Sequence, residues 1–441
     1  MDPRIFALLL LCASRQALTV WGVTDFSTPP DTTPVPTDEH GVECGSRRFG
    51  QGAKRAVGAA VTKLGLQLLE KMEIGPEQPN VILSPLSISL ALSQLALGAR
   101  NETEALLLAS LHAQDLPCYH WALRELVQHL SGHALQVASR MYLKPGFELK
   151  QDFVDESLRI YSSEPAPLVG LEEVNQWVEN ATQGRVTRFL SSLPVNVVLM
   201  LVNAVHFKGE WQARFDPQLT SRDLFYIDSK NMVHVDMMLG PKYPLSVLMD
   251  KELGAQVARF PFKEEMSLLV VMPMSEELNV SAMAARLDPA DLYDRLPRET
   301  SMRVKLPKFR LEDTQDLQEA LTSMGMAQLF VAPDLSGIAD GFLQVSSVQH
   351  KSSIELHEDG AEAAAATAVI VSRSNPTFAV NQPFFFALMD DTTRTPLFLG
   401  VVTNPNPGAD AVTMQGDRPE NVTFPHDNEF DGIQFSPPKE N

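Results

Sequence analysis

Arg373 stands directly before Ser374 in the turn-like run Ser-Arg-Ser-Asn-Pro, and an arginine so placed invites one chemistry, cleavage of the bond that follows it. A trypsin-like protease holds a guanidinium by paired, charge-assisted hydrogen bonds to a carboxylate at the base of its pocket. The residues ahead of Arg373 suit a second event. Counted from Gly360 in steps of two, one face is Ala361, Ala363, Ala365, Thr367, Val369 and Val371, and the other is Glu362, Ala364, Ala366, Ala368, Ile370 and Ser372. That alternation is strand-ready, with one small, uncharged face. Glu355, Glu358 and Asp359 precede it and Arg373 follows, so the middle can enter a sheet without burying an unpaired charge. The consecutive alanines would equally suit a helix. The strand reading rests on their surroundings: the β-branched Val-Ile-Val, the turn, and the dense apolar run from Phe378 to Leu388.

Other chemistries lack their residues. The chain contains no G-x-S-x-G, no H-E-x-x-H, no paired C-x-x-C and no phosphate-cradling glycine loop; Gly50-Gln51-Gly52 does not follow a strand. Its ten histidines show no metal spacing. The expectation is a protein that is not an enzyme and needs no cofactor or metal. A net charge of −19 argues against nucleic acid as a partner and favours solubility. Arg47, Arg48, Lys54 and Arg55 are locally basic; they read as a solvated face, with a glycan contact or a processing site as alternatives.

The elements that must carry the loop follow in order. Residues 1–19 read as a secretory signal, with Arg4 before an apolar run too short to span a membrane. No later stretch is long and apolar enough to span one, so a secreted, extracellular protein is expected. Residues 20–55 form a leader rich in Pro, Thr and Asp. Of three cysteines Cys12 falls in the signal, leaving Cys44 and Cys118 as a pair in an oxidising compartment; a disulfide is expected, with two free thiols as the alternative.

Helical spacing marks Ala56 to Met72, Val174 to Leu190 and Leu317 to Phe330. Val81 to Leu83 reads as a short buried strand, after which Ser84-Pro85 opens a mostly apolar helix. Ala134 to Leu143 and Val197 to Phe207 read as strands, the second buried on both faces, and Met266 to Met274 and Leu397 to Val402 add further apolar runs. Helices early and strands mostly later predict an α+β fold in one domain over 56–407, with the loop at about 358–378. Residues 408–441 read as a disordered acidic tail. Sequons stand at Asn101, Asn180, Asn279 and Asn421, whereas Asn375 is followed by proline.

Several blocks resemble the serpin family: ILSPLSI from Ile82, NQWVENATQGRV from Asn175, NAVHFKGEW from Asn203, VKLPKF from Val304, SVQHKSSIELHEDG from Ser347, FAVNQPFFFAL from Phe378 and PLFLGVVTNP from Pro396. The resemblance implies mixed and antiparallel sheets with surrounding helices and an exposed reactive loop. It also implies a single-use trap for serine proteases, with Gly360 to Thr367 as the hinge and Arg373–Ser374 as the attacked bond. The usual family spacing from Gly360 would place the attacked position on Ser374; Arg373 is preferred because serine offers a specificity pocket little. Ser84, Ser87, Asn203 and His350 match the shutter beneath the strands that must part, and Trp211 and Glu358 match the breach where insertion begins. Within the family the likeness is nearest to inhibitors of plasmin, which implies a monomer in plasma that restrains fibrinolysis. The C-terminal extension of such inhibitors engages kringle modules through lysines; here the tail offers only Lys439. Their N-terminal cross-linking glutamine finds a counterpart only in Gln16, beside the signal. The alternative is a non-inhibitory serpin that binds a receptor, matrix or ligand.

Overall fold

The computed structural model describes residues 44–46, 48–130, 135–275, 280–284, 286–360 and 376–413. The signal with Gln16, the leader up to residue 43, Arg47, the hinge residues Ala361 to Thr367, the bond Arg373–Ser374, Asn279, Asn421 and Lys439 lie outside the described residues. Of the short unit 1–46, Cys44–Ser46 are described, and they form a single turn of 3₁₀ helix. Apart from Cys44, the residues described below belong to the second unit, 47–441.

Helix α1 (Gln51–Lys71) starts five residues ahead of the expected Ala56 and buries Val57, Val61, Leu64 and Leu68, the three- and four-residue spacing read from sequence. Helix α2 (Pro85–Gly98) opens on Pro85, whose missing N–H costs nothing in a first turn, and is buried nearly all round. Helices α3 (Asn101–Ser110), α4 (Tyr119–Leu130), α5 (Gln151–Tyr161) and α6 (Leu171–Ala181) follow. The α6 helix ends well before Leu190. Gln183 and Gly184 take left-handed conformations, φ 53° and 75°, which break the helix, and Val186, Phe189 and Leu190 pack as irregular chain. Likewise the helix expected over Leu317 to Phe330 is interrupted at Gly325, φ 91°.

The strands are β1 (Asn80–Leu83), β2 (Leu135–Leu143), β3 (Ala166–Pro167), β4 (Leu199–Lys208), β5 (Ser221–Tyr226), β6 (Asn231–Asp250), β7 (Ala255–Pro261), β8 (Met266–Pro273), β9 (Thr300–Asp316), β10 (Val345–Leu356), β11 (Thr377–Ala379), β12 (Phe384–Asp390), β13 (Pro396–Val402) and β14 (Val412–Thr413). They run in the order β1-β13-β12-β8-β7-β6-β9-β10-β4-β2-β3, with β5, β11 and β14 added on β6, β9 and β6. The α+β expectation holds. The tail differs at its start, where Val412 and Thr413 pair with Met232 and Asn231.

Within the portion β9-β10-β4-β2-β3, strands β4 and β2 are packed on both faces. On one side α2 packs against β2 and β4. On the other, Val174 and Val178 of α6 join Ala138, Tyr142, Met200, Val202 and Ala204 in one apolar cluster. Such double cover explains why β4 reads as continuously apolar.

Candidate functional site

Both anchors of the loop are defined. Strand β10 runs into Glu358, Asp359 and Gly360, and Gly360 bridges Trp211. A Cβ at Gly360 would lie 2.5 Å from the Trp211 carbonyl, so only glycine fits the approach. On the far side the Arg303 amide donates to the Pro376 carbonyl (2.9 Å), and β11 pairs parallel with Arg303 to Lys305 of β9.

Beside the first anchor lies a seam. Strands β10 and β4 pair in parallel, whereas the pairs that flank them, β10 with β9 and β4 with β2, are antiparallel. A chain that leaves the end of β10 and folds back at Gly360 would run antiparallel to both β10 and β4. Placed between them, it would replace one parallel pairing by two antiparallel ones, the more stable kind per residue.

The seam is closed by polar groups. On the α2 side, Asn203 of β4 and His350 of β10 are register partners. His350 Nε2 accepts from the Ser84 amide (3.2 Å), which leaves Nδ1 protonated and donating to Asn203 Oδ1 (2.7 Å). Ser87 Oγ lies 2.7 Å from the same Oδ1, and Asn203 Nδ2 donates to the Ser87 carbonyl (2.9 Å). One network thus ties the start of α2 to both strands. Burial pushes the His350 imidazole down to about 3, so it works as a neutral ring. Next to it Ser352 Oγ donates to the Ile82 carbonyl (2.6 Å).

On the α6 side, His206 Nδ1 lies 3.1 Å from Ser353 Oγ, and Lys208 pairs with Glu355 at 2.8 Å; each pair joins register partners across the seam. Lys351 reaches over β4 to the Arg188 carbonyl (3.1 Å), beyond the end of α6. Burial, reinforced by the nearby Arg185 and Arg310, pushes His206 down to about 4.

At the loop end of the seam, Trp211 is fully buried and stacks on Phe262 with centroids 4.1 Å apart. Its Nε1 donates to the His357 carbonyl, and its amide to that of Asp359 (2.9 Å). Glu358 accepts from Thr220 Oγ1 (2.9 Å) and pairs with Lys308 (2.9 Å). Burial alone would raise its carboxyl, but the Lys308 ammonium and its hydrogen bonds outweigh that and hold it below the usual range.

The structure therefore brings Ser84, Ser87, Asn203 and His350 into one cluster and sets Trp211 and Glu358 around Gly360. Sequence reasoning missed His206, Ser353, Lys208, Glu355, Thr220 and Lys308. No apolar pattern could have found the β10 members, because Val-Ser-Ser-Val-Gln-His-Lys-Ser-Ser-Ile has no period of two and reads as surface. Cys44 and Cys118 are each disulfide-bonded, as expected. Asn101 and Asn180 are exposed, though Thr182 of the Asn180 sequon is fully buried. Among the described residues no cluster of metal-binding side chains occurs, and no helix is long and apolar enough to cross a membrane.

A sheet with such a seam, and a chain that turns off the end of β10 at Gly360, defines a class, and the comparisons agree: residues 59–405 match the family model "Serpin (serine protease inhibitor)", and the chain belongs to that family. Serpins are protease inhibitors and not catalysts. Alpha-2-antiplasmin of Bos taurus is similar, 46% identical over 338 residues that span 75% of this chain and 69% of the relative. That of Mus musculus is 44% identical over 368 residues, 81% of this chain and 75% of the relative. Among solved structures, mouse protein-Z dependent protease inhibitor superposes with a TM-score of 0.71 at 25% identity, covering 80% of this chain and 97% of that one. Human thyroxine-binding globulin with its hormone gives 0.70 at 25%, covering 80% and 98%.

Proposed function

We propose that this serpin is secreted into plasma and, as a monomer, inhibits trypsin-like serine proteases, plasmin first among them, and so restrains fibrinolysis. The protease serine attacks the Arg373 carbonyl, the Ser374 amine departs, and the acyl ester stays on the enzyme. The freed loop then enters the seam from Gly360. About fourteen residues at ~3.3 Å each carry the enzyme ~45 Å before water can cleave the ester. The single observation that carries this reading is the parallel β4–β10 pairing, with the loop leaving the end of β10. In it Ser84, Ser87, Asn203 and His350 are the shutter, and Trp211 and Glu358 the breach. Plasmin as target draws on the likeness to alpha-2-antiplasmin together with Arg373. Lys439 would offer a kringle-bearing protease a second contact and raise the effective inhibitor concentration.

The test is to mix the protein with plasmin and with trypsin, resolve the products on denaturing gels and sequence the released fragment. A covalent complex and a fragment beginning at Ser374 are expected, and Arg373→Ala should abolish both. Clean cleavage without a complex would transfer the protein to the non-inhibitory reading. Ending the chain after Pro407 should slow the inhibition of plasmin but not that of its isolated protease domain.

A further inference from the structure

His357 directly follows β10, and its ring is buried, 7% exposed. The Asp359 amide donates to its Nδ1 (3.0 Å), so the neutral ring carries its proton on Nε2, and that buried N–H meets no acceptor among the described residues. The turn closed in this way also holds Trp211 and Phe215. The carbonyls of His357, Glu358 and Asp359 accept from Trp211 Nε1, the Phe215 amide (3.1 Å) and the Trp211 amide (2.9 Å) respectively. A proton on Nδ1 is incompatible with this turn, because two N–H groups would then face each other across 3.0 Å. The Asp359 carboxylate, with Oδ2 3.5 Å from Nδ1, stands where it can accept the new N–H once the amide has turned away. One ring nitrogen thus chooses between the backbone and the side chain of Asp359.

We infer that His357 is a positioning residue for the root of the loop: neutral, it keeps the turn from Glu358 to Gly360 closed, and protonated it releases that turn so that insertion begins. The inference rests on the inhibitory reading above. Charged groups stand near the ring on every side, Lys208 of β4, Glu210 just beyond β4, Glu355 of β10, and Glu358 and Asp359 of the turn. Three of the acids are already engaged, Glu355 with Lys208 and the nearby Arg310, Glu358 with Lys308, and Glu210 with Lys263. Burial first, then the Lys208 ammonium, hold the ring below its ordinary 6.5, and the acids only partly offset them. Both influences belong to the closed seam. Lys208 and Glu355 are register partners across it, so a strand entering between β4 and β10 must draw Lys208 away from the ring. The opening state therefore binds the proton more tightly than the closed one, and falling pH favours opening. The effect is absent well above 6.5 and complete below the ring's own value in the closed protein.

Two measurements on the full chain test this. The first is an NMR titration of the His357 ring, assigned by its absence from His357→Asn or, should that variant fail to fold, from His357→Gln. The midpoint should lie below 6.5 in the intact protein and move toward 6.5 once the loop has been cleaved. The same midpoint in both forms would overturn the inference. The second is the number of inhibitor molecules consumed per trypsin inactivated, compared between wild type and His357→Asn, whose Oδ1 still accepts from the Asp359 amide but takes no proton. Reading each pH as the ratio of the two proteins cancels the protease's own pH dependence. Between about pH 7.5 and about pH 5.5 that ratio should move about threefold in favour of wild type. Lys208→Met, which removes the cation nearest the switch, should carry the midpoint of the change to higher pH. A ratio constant across this range would overturn the inference and leave the inhibitory reading intact, whereas failure of wild type to form a covalent complex at any pH would overturn both.

Discussion

Two regions of this molecule are buried to the same degree and held in opposite ways. In β8, β12 and β13 the sequences Met-Ser-Leu-Leu-Val-Val-Met-Pro, Phe-Phe-Phe-Ala-Leu-Met-Asp and Pro-Leu-Phe-Leu-Gly-Val-Val are buried at every position and paired antiparallel. At the seam, β10 buries Ser347, Gln349, His350, Lys351, Ser352 and Ser353, with Asn203 and His206 facing it from β4. Each large apolar side chain contributes about 1.5–3 kcal/mol by leaving water, whereas a hydrogen bond nets about 0.5–1.5 kcal/mol because water is an almost equal partner. Apolar strands stay shut. A seam of hydrogen-bonded polar groups can part at modest cost, since an arriving strand offers new backbone partners, while any other register leaves buried polar atoms unpaired. In the proposed mechanism the same exchange makes the closed state specific without requiring it to be the most stable arrangement of the chain.

The comparison is broken most severely from the apolar side. Phe386, about 1% exposed, stands opposite Val270 and Gly400. Phe386→Ala should cost about 3–5 kcal/mol. The loss should be alike in the intact and the loop-cleaved protein, because both keep this sheet. Denaturant unfolding of the two forms checks it, and a cost confined to the intact form would refute the division between a fixed and an openable region.

Next in size is acid. The ordinary histidine value is 6.5, and in the native protein His350 and His206 are pushed down to about 3 and about 4, mainly by burial. Arg185 and Arg310 further repel a charged His206, while Glu355 and Glu312 oppose them. Between 6.5 and 4 the unfolded chain binds protons that the native rings refuse, so unfolding is favoured as pH falls. The stability these neutral rings supply is complete above 6.5 and is lost through that window, roughly 3 kcal/mol for His206 alone. His206→Phe should flatten the fall of stability between pH 6.5 and 4. Parallel pH profiles for variant and wild type would show that the seam does not sense protons there.

How legible all this was in the sequence follows the same division. The apolar strands and α2 announce themselves by composition, and α1 by its spacing, because burial against a fixed neighbour writes itself directly into residue type. Val186, Phe189 and Leu190 continue the spacing of α6 yet pack as irregular chain, since apolar period cannot register the left-handed turn at Gln183 and Gly184. Strand β10 was hidden for a deeper reason. Its Ser, Gln, His and Lys residues read as surface, and only the partners brought by β4, α2 and the segment after α6 make them interior. The serpin-like blocks located Ser84, Ser87, Asn203 and His350 by resemblance, but the pairs His206–Ser353 and Lys208–Glu355 exist only once β4 and β10 are in register.

A smaller effect is expected within the cluster of Ser84, Ser87, Asn203 and His350. Asn203→Ala strips His350 Nδ1 of its acceptor, whereas Ser87 Oγ keeps the Ser84 carbonyl (3.0 Å), and about 1–3 kcal/mol should be lost for the buried group left unpaired. Spontaneous loss of inhibitory activity on storage should quicken, because the closed seam is weakened more than the state with an inserted strand. Equal destabilisation of intact and cleaved protein would make Asn203 an ordinary core residue.

The smallest effect sharpens the comparison most. Lys208 and Glu355 bridge the same two strands at 2.8 Å, with side chains 37% and 22% exposed, in front of the place where the loop would enter. An ion pair so open to water contributes only about 0.2–1 kcal/mol, and Lys208→Met keeps the aliphatic stem that covers the strand. Equilibrium stability should therefore change by less than for Asn203→Ala. Glu355, already held below the usual carboxylate range although burial opposes it, should move toward that range once its main cation is gone. Kinetics should respond differently from stability: with a cross-strand tie removed at the first position to part, insertion should quicken and fewer cleaved molecules should escape as spent substrate. Stoichiometry of inhibition and the pH dependence of insertion measure this together. If Lys208→Met destabilises the protein more than Asn203→Ala, the grip on the seam lies in its half-exposed edge and not in the buried His350 network.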